Sequence, residues 1–512
     1  MKPVIRYSVT ALSSALLLAA CGGSGSSSGT APQAEETNRT IQGTIDGFGS
    51  VIIDGVHYDS SSTSFTIDDN PGSESDLRVG QVVILSGSDD GKEGKAVSIS
   101  YDASVKGPVS NVDNAAGTFT VLGQAVVTDA MTVFEGTSMD TLSNGEMVEV
   151  SGYTDSDGQW RATYVELEDS GEAELRGTVS SLDEAAQTFM IGSQLVSYSG
   201  TTEMELDEAA LRDGMLVEVE GTVVATDSGD VLEADSIEQE DDSHSEHGDD
   251  DSRVSGYITE LSDGAMTVGS TPVQLPDDVR YEHGTSADLA LNVFVKVEGQ
   301  FDADGNLVAD EVEFEDEVKL ELEGPVTAVS DTTVTVMGVE AIVDTSTRVK
   351  DERDDLHYFS LSDISVGDYV ELRLSENADG TYQALRLERE EDDNEVKVTA
   401  PVDSIDTAAE LIVMLDITID MAGVSSPDLS TLVVGDYLEV DGTWNGDIIT
   451  ATEAEYEHDY DDDSHEEHGD DDSHDDSDDS DDDSDDDSDD SDDDSDDDSD
   501  DSDDDSDDDG DD

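Results

Sequence analysis

Cysteine is almost missing from this sequence: Cys21 is the only one in 512 residues, so no disulfide, Cys-based zinc site or thiol nucleophile is available within one chain. Stability has to come from packing. Positive charge is scarce too, with 21 Lys and Arg against 132 Asp and Glu, a formal net charge of -111. A surface of that sign repels nucleic acid and anionic lipid headgroups, so nucleic acid is not expected as a partner. Salt, which shortens the Debye length to ~8–10 Å, makes such a compact state easier to keep. There is no Gly-rich phosphate loop, Rossmann fingerprint or basic aromatic surface. Part of the charge is local. From Glu457 to Asp512 there are 38 acidic residues and no Lys or Arg, but the remainder of the chain is still strongly acidic.

The N-terminus carries Lys2 and Arg6, then an apolar stretch from Val9 to Ala20 broken by Thr10, Ser13 and Ser14. It is too short to span a bilayer comfortably and reads as a secretion signal over residues 1–20. Its end, Leu18-Ala19-Ala20-Cys21, resembles the lipobox of bacterial lipoproteins. That resemblance implies cleavage before Cys21, a diacylglycerol on the thiol and a third acyl chain on the new amino terminus, which exceeds the two signals that stable anchoring needs. The membrane is then a partner through this lipid. An ordinary secretory signal with a chance cysteine leaves Cys21 without a role. In the Gram-negative lipoproteins it resembles, aspartate after the cysteine favours inner-membrane retention, so Gly22 leans toward the outer membrane. Residues 21–39 form a tether whose Gly/Ser-rich part is flexible, with a reach of about 5–6 Å × √n.

Beyond the tether one pattern recurs about every 65 to 80 residues. Leu77-Arg78-Val79-Gly80-Gln81-Val82-Val83-Ile84-Leu85-Ser86-Gly87 is matched by LSNGEMVEVSG at 142–152, LRDGMLVEVEG at 211–221, LALNVFVKVEG at 289–299, ISVGDYVELRL at 364–374 and LVVGDYLEVDG at 432–442. The shared core, G-x-x-V-x-V, predicts a turn at Gly or Asn, where positive φ is cheap, feeding a strand with one buried and one wet face. Each copy opens near Gly43, Gly107, Gly177, Gly256, Gly324 or Ala400 and continues into an apolar hairpin, such as Val51 to Tyr58 around Asp54-Gly55. Each closes with an alternating strand, such as Ala162 to Leu167.

Five short strands per copy predict an all-β tandem array of about six small, five-stranded, OB-like β-barrel modules, with a small open sandwich as the competing geometry. The boundaries expected are 40–103, 104–171, 172–240, 253–317, 318–392 and 393–456, with an acidic His linker at 241–252 and a disordered Asp/Ser/His tail at 457–512. At about 65 residues a module buries a modest core, so neighbours brace one another or stay individually marginal; beads on a string is the default. The modules also resemble a bacterial family described as domain of unknown function 5666, found in tandem on lipoproteins. The resemblance rests on the opening glycine strand, the apolar hairpin and the L-x-x-G-x-x-V-E-V-x-G segment, and covers nearly everything from Thr40 to Tyr456. It implies an architecture and a location but no activity.

A larger duplication shows in DDSHSEHGDDDS at 241–252 and DDSHEEHGDDDS at 462–473, which differ at one position. The tail that follows repeats SDDDSDDDSDD, has no apolar surface to bury and repels itself, so it is expected to be disordered. Six of the nine histidines, His244, His247, His458, His465, His468 and His474, lie in these acidic segments. Imidazoles three apart with flanking carboxylates can share a zinc, nickel or copper ion, making His244, His247, His465, His468 and His474 the candidate metal ligands. Without a rigid scaffold such binding is weak and exchangeable, and a solvated spacer is the plainer reading. Dense aspartates also attract calcium or magnesium. Asp155-Ser-Asp-Gly158 and Asp302-Ala-Asp-Gly305 place glycine too early for an EF-hand loop and read as turns.

His57, His283 and His357 fall within modules and have no recurring partner, and carboxylates are too abundant for any acid/base pair to stand out. The chain is therefore expected not to be an enzyme. The first functional reading is a lipid-anchored envelope binding or structural protein whose partner is a protein or a glycan, with weak module contacts summing by avidity. The alternative is divalent-metal binding or buffering at the surface through the His/Asp linker and tail.

Overall fold

The computed structural model describes residues 37–168, 171–206, 210–226, 229–239, 251–392 and 394–457. Cys21, the expected tether up to residue 36, the five candidate metal-ligating histidines and, apart from Glu457, the acidic tail lie outside them; the last three residues of the expected tether, 37–39, belong to the strand Thr37–Gly47. What is described is all-β, with short 3-10 turns at Glu74–Asp76 and Leu361–Asp363. No helix among the described residues is long and apolar enough to cross a membrane.

The recurring motif is a backbone clamp. Its turn residue has positive φ in all six copies: Gly80 (92°), Gly145 (93°), Gly214 (82°), Asn292 (66°), Gly367 (96°) and Gly435 (96°). In every copy that residue's N–H donates to a carbonyl of the copy's opening strand or the residue just after it, from Gly145 to Val109 at 2.7 Å and from Asn292 to Ile258 at 2.9 Å, for example. A carbonyl one residue later in the turn accepts the reciprocal N–H, as Glu146 does from Val109 at 2.8 Å. Two bonds thus fix where the motif strand meets the opening strand, and the following valines are driven inward by alternation. Val148, Val150, Val217 and Val219 are all fully buried. The hairpin turn behaves as its Asp-Gly sequence demands, with Asp54 at φ 48° and Gly55 at 80° between strands Val51–Ile53 and Val56–Asp59.

The glycine that closes the motif has a different role. At Gly152 the pairing of Met147–Thr154 with Trp160–Glu168 slips by one residue, a β-bulge that brings the two backbones together. A Cβ there would sit 2.1 Å from the Arg161 carbonyl oxygen. The same slip occurs at Gly87, Gly221, Gly299 and Gly442, and at Leu374 in the copy that lacks the glycine.

In the first repeat the pairings return to their start. Thr37–Gly47 pairs with Val51–Ile53, which pairs with Val56–Asp59; that strand runs parallel to Glu93–Tyr101, which pairs with Val82–Asp89, and Val82–Asp89 returns to Thr37–Gly47. The opening strand is longer than the hairpin strand beside it, 11 residues against 3, so part of its edge remains for another partner. That edge is taken by a different repeat. Arg39 to Gln42 pair in parallel with Asp251 to Val254 of the fourth repeat. Lys106 and Val105 pair with Glu174 and Leu175, joining the second and third repeats. Glu321 to Glu323 pair with Thr399 to Lys397, joining the fifth and sixth.

The expectation of six discrete OB-like barrels is therefore overturned. The strands form three sheets of 13, 12 and 12 strands, each built from two repeats, in a stacked, solenoid-like arrangement. Hydrophobic cores merge in two of the three sheets: one cluster runs from Val105 to Ile237 through the second and third repeats, another from Leu320 to Ala454 through the fifth and sixth, while the first and fourth repeats keep separate clusters. The physical reason is the unpaired length of each opening strand, an edge whose free N–H and C=O groups are best satisfied by pairing. Nor are the sheets independent of one another. Val133 and Tyr164 of the second repeat complete the core of the first, and Tyr153 packs edge-on against Phe294 of the fourth at 5.1 Å while its hydroxyl meets Thr44 Oγ1 at 3.0 Å.

The scarce cations gather where repeats meet. Arg348 donates to the Met131 carbonyl at 2.8 Å, Lys350 to Phe134 at 2.5 Å, and Arg386 to Ala130 and Thr132 at 3.3 and 3.1 Å, so three side chains of the fifth repeat grip one segment of the second. Between the first and fourth repeats, Ser255 donates to Asp54 at 2.7 Å and Arg39 lies 3.0 Å from Glu298, which also binds Arg253.

The two glycine columns separate by experiment. Gly152→Ala forces a methyl group onto a backbone oxygen and is expected to cost about 3 kcal/mol, the upper end of overpacking penalties. Gly145→Ala meets nothing within 4 Å and is expected to cost about 1–2 kcal/mol from positive φ alone. Urea unfolding midpoints of the two variants check the order.

Candidate functional site

The face of each motif strand opposite the valines carries the residue after the first motif position: Glu149, Glu218, Glu371 and Glu439 in four of the six repeats, of which Glu149 and Glu218 are buried. The closing strand of the repeat sets another glutamate directly opposite each of them, Glu166, Glu238, Glu388 and Glu455. Like charges in register destabilise a sheet unless a cation or proton intervenes. Lys106 Nζ donates to Glu149 at 3.1 Å and Glu168 at 3.0 Å, and Lys397 lies 3.1 Å from Glu439.

Among the described residues, two groups of carboxylates converge closely enough to hold a divalent cation. In each, one ligand atom per residue lies within 4.8 Å of the others: Glu174, Glu218 and Glu220 in the third repeat, and Glu371, Glu388 and Glu390 in the fifth. The alternation of strands Ala173–Asp183, Leu216–Thr226, Tyr369–Glu376 and Tyr382–Glu390 puts these side chains on common faces. Their surroundings differ. Burial alone would raise Glu388, but Arg386 and Lys350 outweigh it and hold the carboxyl below the ordinary range. Burial, followed by Glu371 and Glu323, pushes Glu390 well above that range. Glu174 is pushed up to about 9, chiefly by burial and then by Glu218, Asp68, Glu149 and Asp102.

A third buried carboxylate, Asp46, sits where the first and fifth repeats meet. It accepts the Gly55 N–H at 3.0 Å and faces Arg348 at 3.7 Å. Burial raises it to about 7 against the pull of Arg348.

Of the residues singled out from sequence, Cys21, His244, His247, His465, His468 and His474 fall outside the described residues. His57 bonds Ser50 Oγ at 2.9 Å, His283 lies 3.8 Å from Glu313, and His357 stacks on Phe48 at 4.1 Å. The two Asp-x-Asp-Gly stretches are turns: Asp155 and Asp302 each accept backbone N–H groups two and four residues on, at 2.9–3.0 Å. Neither glutamate cluster stood out in a sequence so rich in acids. The signal lay in the aligned motif, where Glu218 and Glu371 occupy one column on the face opposite the valines.

A raised carboxyl favours the folded state below its unfolded pKa of ~4.3 and loses that contribution as pH climbs through the folded value. Glu174, Glu390 and Asp46 all act in this sense. Glu388 and Glu298, held low by arginines despite burial, act oppositely and only below the ordinary carboxylate range. The melting temperature at constant ionic strength is thus expected to be higher at pH 5.5 than at pH 9, and Glu390→Gln to narrow the difference, by calorimetry in chelator.

No curated protein matches the chain. Among solved structures, it is similar to a Drosophila structure titled Unr CSD456 at 12% identity and TM-score 0.16, over 40% of this chain and 97% of that one. It is also similar to a multidomain protein with nucleic acid binding domains from Streptococcus pneumoniae at 14% identity and TM-score 0.10, over 39% and 72%. That second title corrects the expectation drawn from charge: the exclusion of nucleic acid as a partner does not stand, although likeness at these scores carries no argument that this chain binds one. The model of the family described as Domain of unknown function (DUF5666) matches residues 106–166, 176–238, 255–313, 323–388 and 399–455. Five consecutive matches cover more than half of the sequence, each on one repeat of the three sheets, and the chain belongs to that family.

Proposed function

We propose that this chain is a lipid-anchored, non-catalytic structural or binding protein of the bacterial cell envelope, held to the outer membrane through Cys21. The observation that carries the reading is the pairing of opening strands into three couples of repeats, which side-chain bonds between couples, such as Tyr153 to Thr44 and Arg348 to Met131, brace into one body. Such a body suits holding and presenting surfaces. The buried charged groups support this, since Arg253, Arg348, Arg386 and Arg389 are engaged in joining strands and repeats. An envelope protein or a glycan is the partner, met by several repeats at once. A shallow groove between the second and third repeats, lined by Pro108, Thr120, Gly123, Gln194, Val223 and Asp230, is one surface where two repeats face a common ligand.

A second reading, binding of divalent cations, is favoured by the convergent carboxylates of the third and fifth repeats. It moves the emphasis from the histidines of the linker and tail to the repeats themselves.

Expression in a Gram-negative host with labelled palmitate tests the anchor. Label on the protein and recovery in the outer-membrane fraction are expected, both lost in Cys21→Ala. Unlabelled, periplasmic wild-type protein would overturn the reading.

A further inference from the structure

The two carboxylate clusters are alike in geometry and unlike in charge balance. Around Glu371, Glu388 and Glu390 the protein supplies its own cations. Arg373 lies 2.5 Å from Glu371, Arg386 binds Glu388, and Lys350 lies 3.5 Å from Glu388. An added metal ion would have to displace or coexist with three positive side chains.

At Glu174 the balance is different. The residue is 6% exposed, and its Oε1 is buried without a hydrogen-bond partner, which leaves a desolvated acceptor uncompensated. The lysine beside it in register, Lys106, directs its Nζ to Glu149 and Glu168 instead. Glu220 keeps one oxygen on the Ser236 hydroxyl at 2.9 Å, with the other to offer. Glu218 stands opposite Arg176 in register and is itself engaged, so a bound ion would share it. Asp68, Glu149 and Asp102 add negative potential from the first and second repeats and the segment joining them.

We propose that Glu174, Glu218 and Glu220 form a calcium site that fastens the sheet shared by the second and third repeats, with the buried Glu174 Oε1 as its central ligand. The proposal rests on the cation-binding reading above and names its location and ion. Hard carboxylate oxygens suit calcium or magnesium over softer metals. The three ligand atoms lie within 4.8 Å of one another and can share one calcium ion, whose shell at about 2.3–2.6 Å tolerates irregular geometry, whereas magnesium demands a near-ideal octahedron and keeps several waters. Glu174 pairs across the junction with Lys106, so an ion held there ties its occupancy to the joining of two repeats.

The test is thermal unfolding of the full-length protein in EDTA and in millimolar calcium at 150 mM NaCl, beside calcium calorimetry. Wild-type protein is expected to bind calcium saturably and to melt several degrees higher with it. Glu174→Gln is expected to melt at least as high as wild type in EDTA at neutral pH, because the ion-free carboxyl, pushed up to about 9, is already protonated there and glutamine keeps its shape, and to lose most of the calcium-dependent rise. Glu220→Gln, at an exposed position, is expected to lose the rise as well. Glu371→Gln is expected to keep it. An equal rise in wild type and both third-repeat variants would overturn the site while leaving cation binding elsewhere intact. Loss of the rise in Glu371→Gln alone would move the ion to the fifth repeat and overturn the site too. Absence of any saturable calcium binding would overturn both the site and the reading beneath it.

Discussion

An opening strand longer than its own hairpin is the constraint from which the rest of the architecture follows. The strand Ala173–Asp183 has 11 residues, while the hairpin strand that covers its far end, Thr188–Ile191, has 4. A small unit that closes around such a strand leaves a run of backbone donors and acceptors at its other end, and water or a neighbour must satisfy them. Here the neighbours do so in three couples: first with fourth, second with third, fifth with sixth. In the second-with-third and fifth-with-sixth couples the inward faces share one interior, whereas the first and fourth repeats keep separate cores. Val105 and Leu175, partners across a junction, are both fully buried.

Electrostatics works within that frame. A chain with a net charge of -111 repels itself, so where its few cations sit matters more than their number. Exposed ion pairs contribute little, while a buried cation with several acceptors fixes geometry and is costly to remove. Arg386 shows the second situation: it is 8% exposed, bonds two backbone carbonyls of another repeat and pairs with Glu388. Where the nearest lysine is directed elsewhere, as Lys106 is at Glu174, the structure buries a carboxyl that a proton or an external ion can neutralise.

Much of the local structure was legible in the sequence because it is written in turn chemistry. Gly80, Gly145 and their counterparts announced a positive-φ turn followed by a half-buried strand, and Asp54-Gly55 announced a hairpin. The joining of repeats was not legible. Arg39 to Gln42 pair with residues more than 200 positions away, and nothing in either segment distinguishes a strand that finishes one repeat from a strand shared by two. Lys106 reads as one more charge on a wet face, and Arg386, in the run Leu385-Arg386-Leu387-Glu388-Arg389-Glu390, reads as a solvated alternation; its acceptors, the Ala130 and Thr132 carbonyls, belong to another repeat. Glu174 was hidden by abundance. Its importance comes from burial and from neighbours contributed by three separate strands, which no spacing rule in one stretch of sequence encodes.

Native-state hydrogen exchange on the full-length protein tests the pairing of repeats most directly. If opening strands are shared, amides in Arg39–Gln42, Glu174–Leu175 and Glu321–Glu323 are as protected as interior strands and lose protection together with their partners in the fourth, second and sixth repeats. Six repeats exchanging independently, with those segments the first to open in each, would contradict the account.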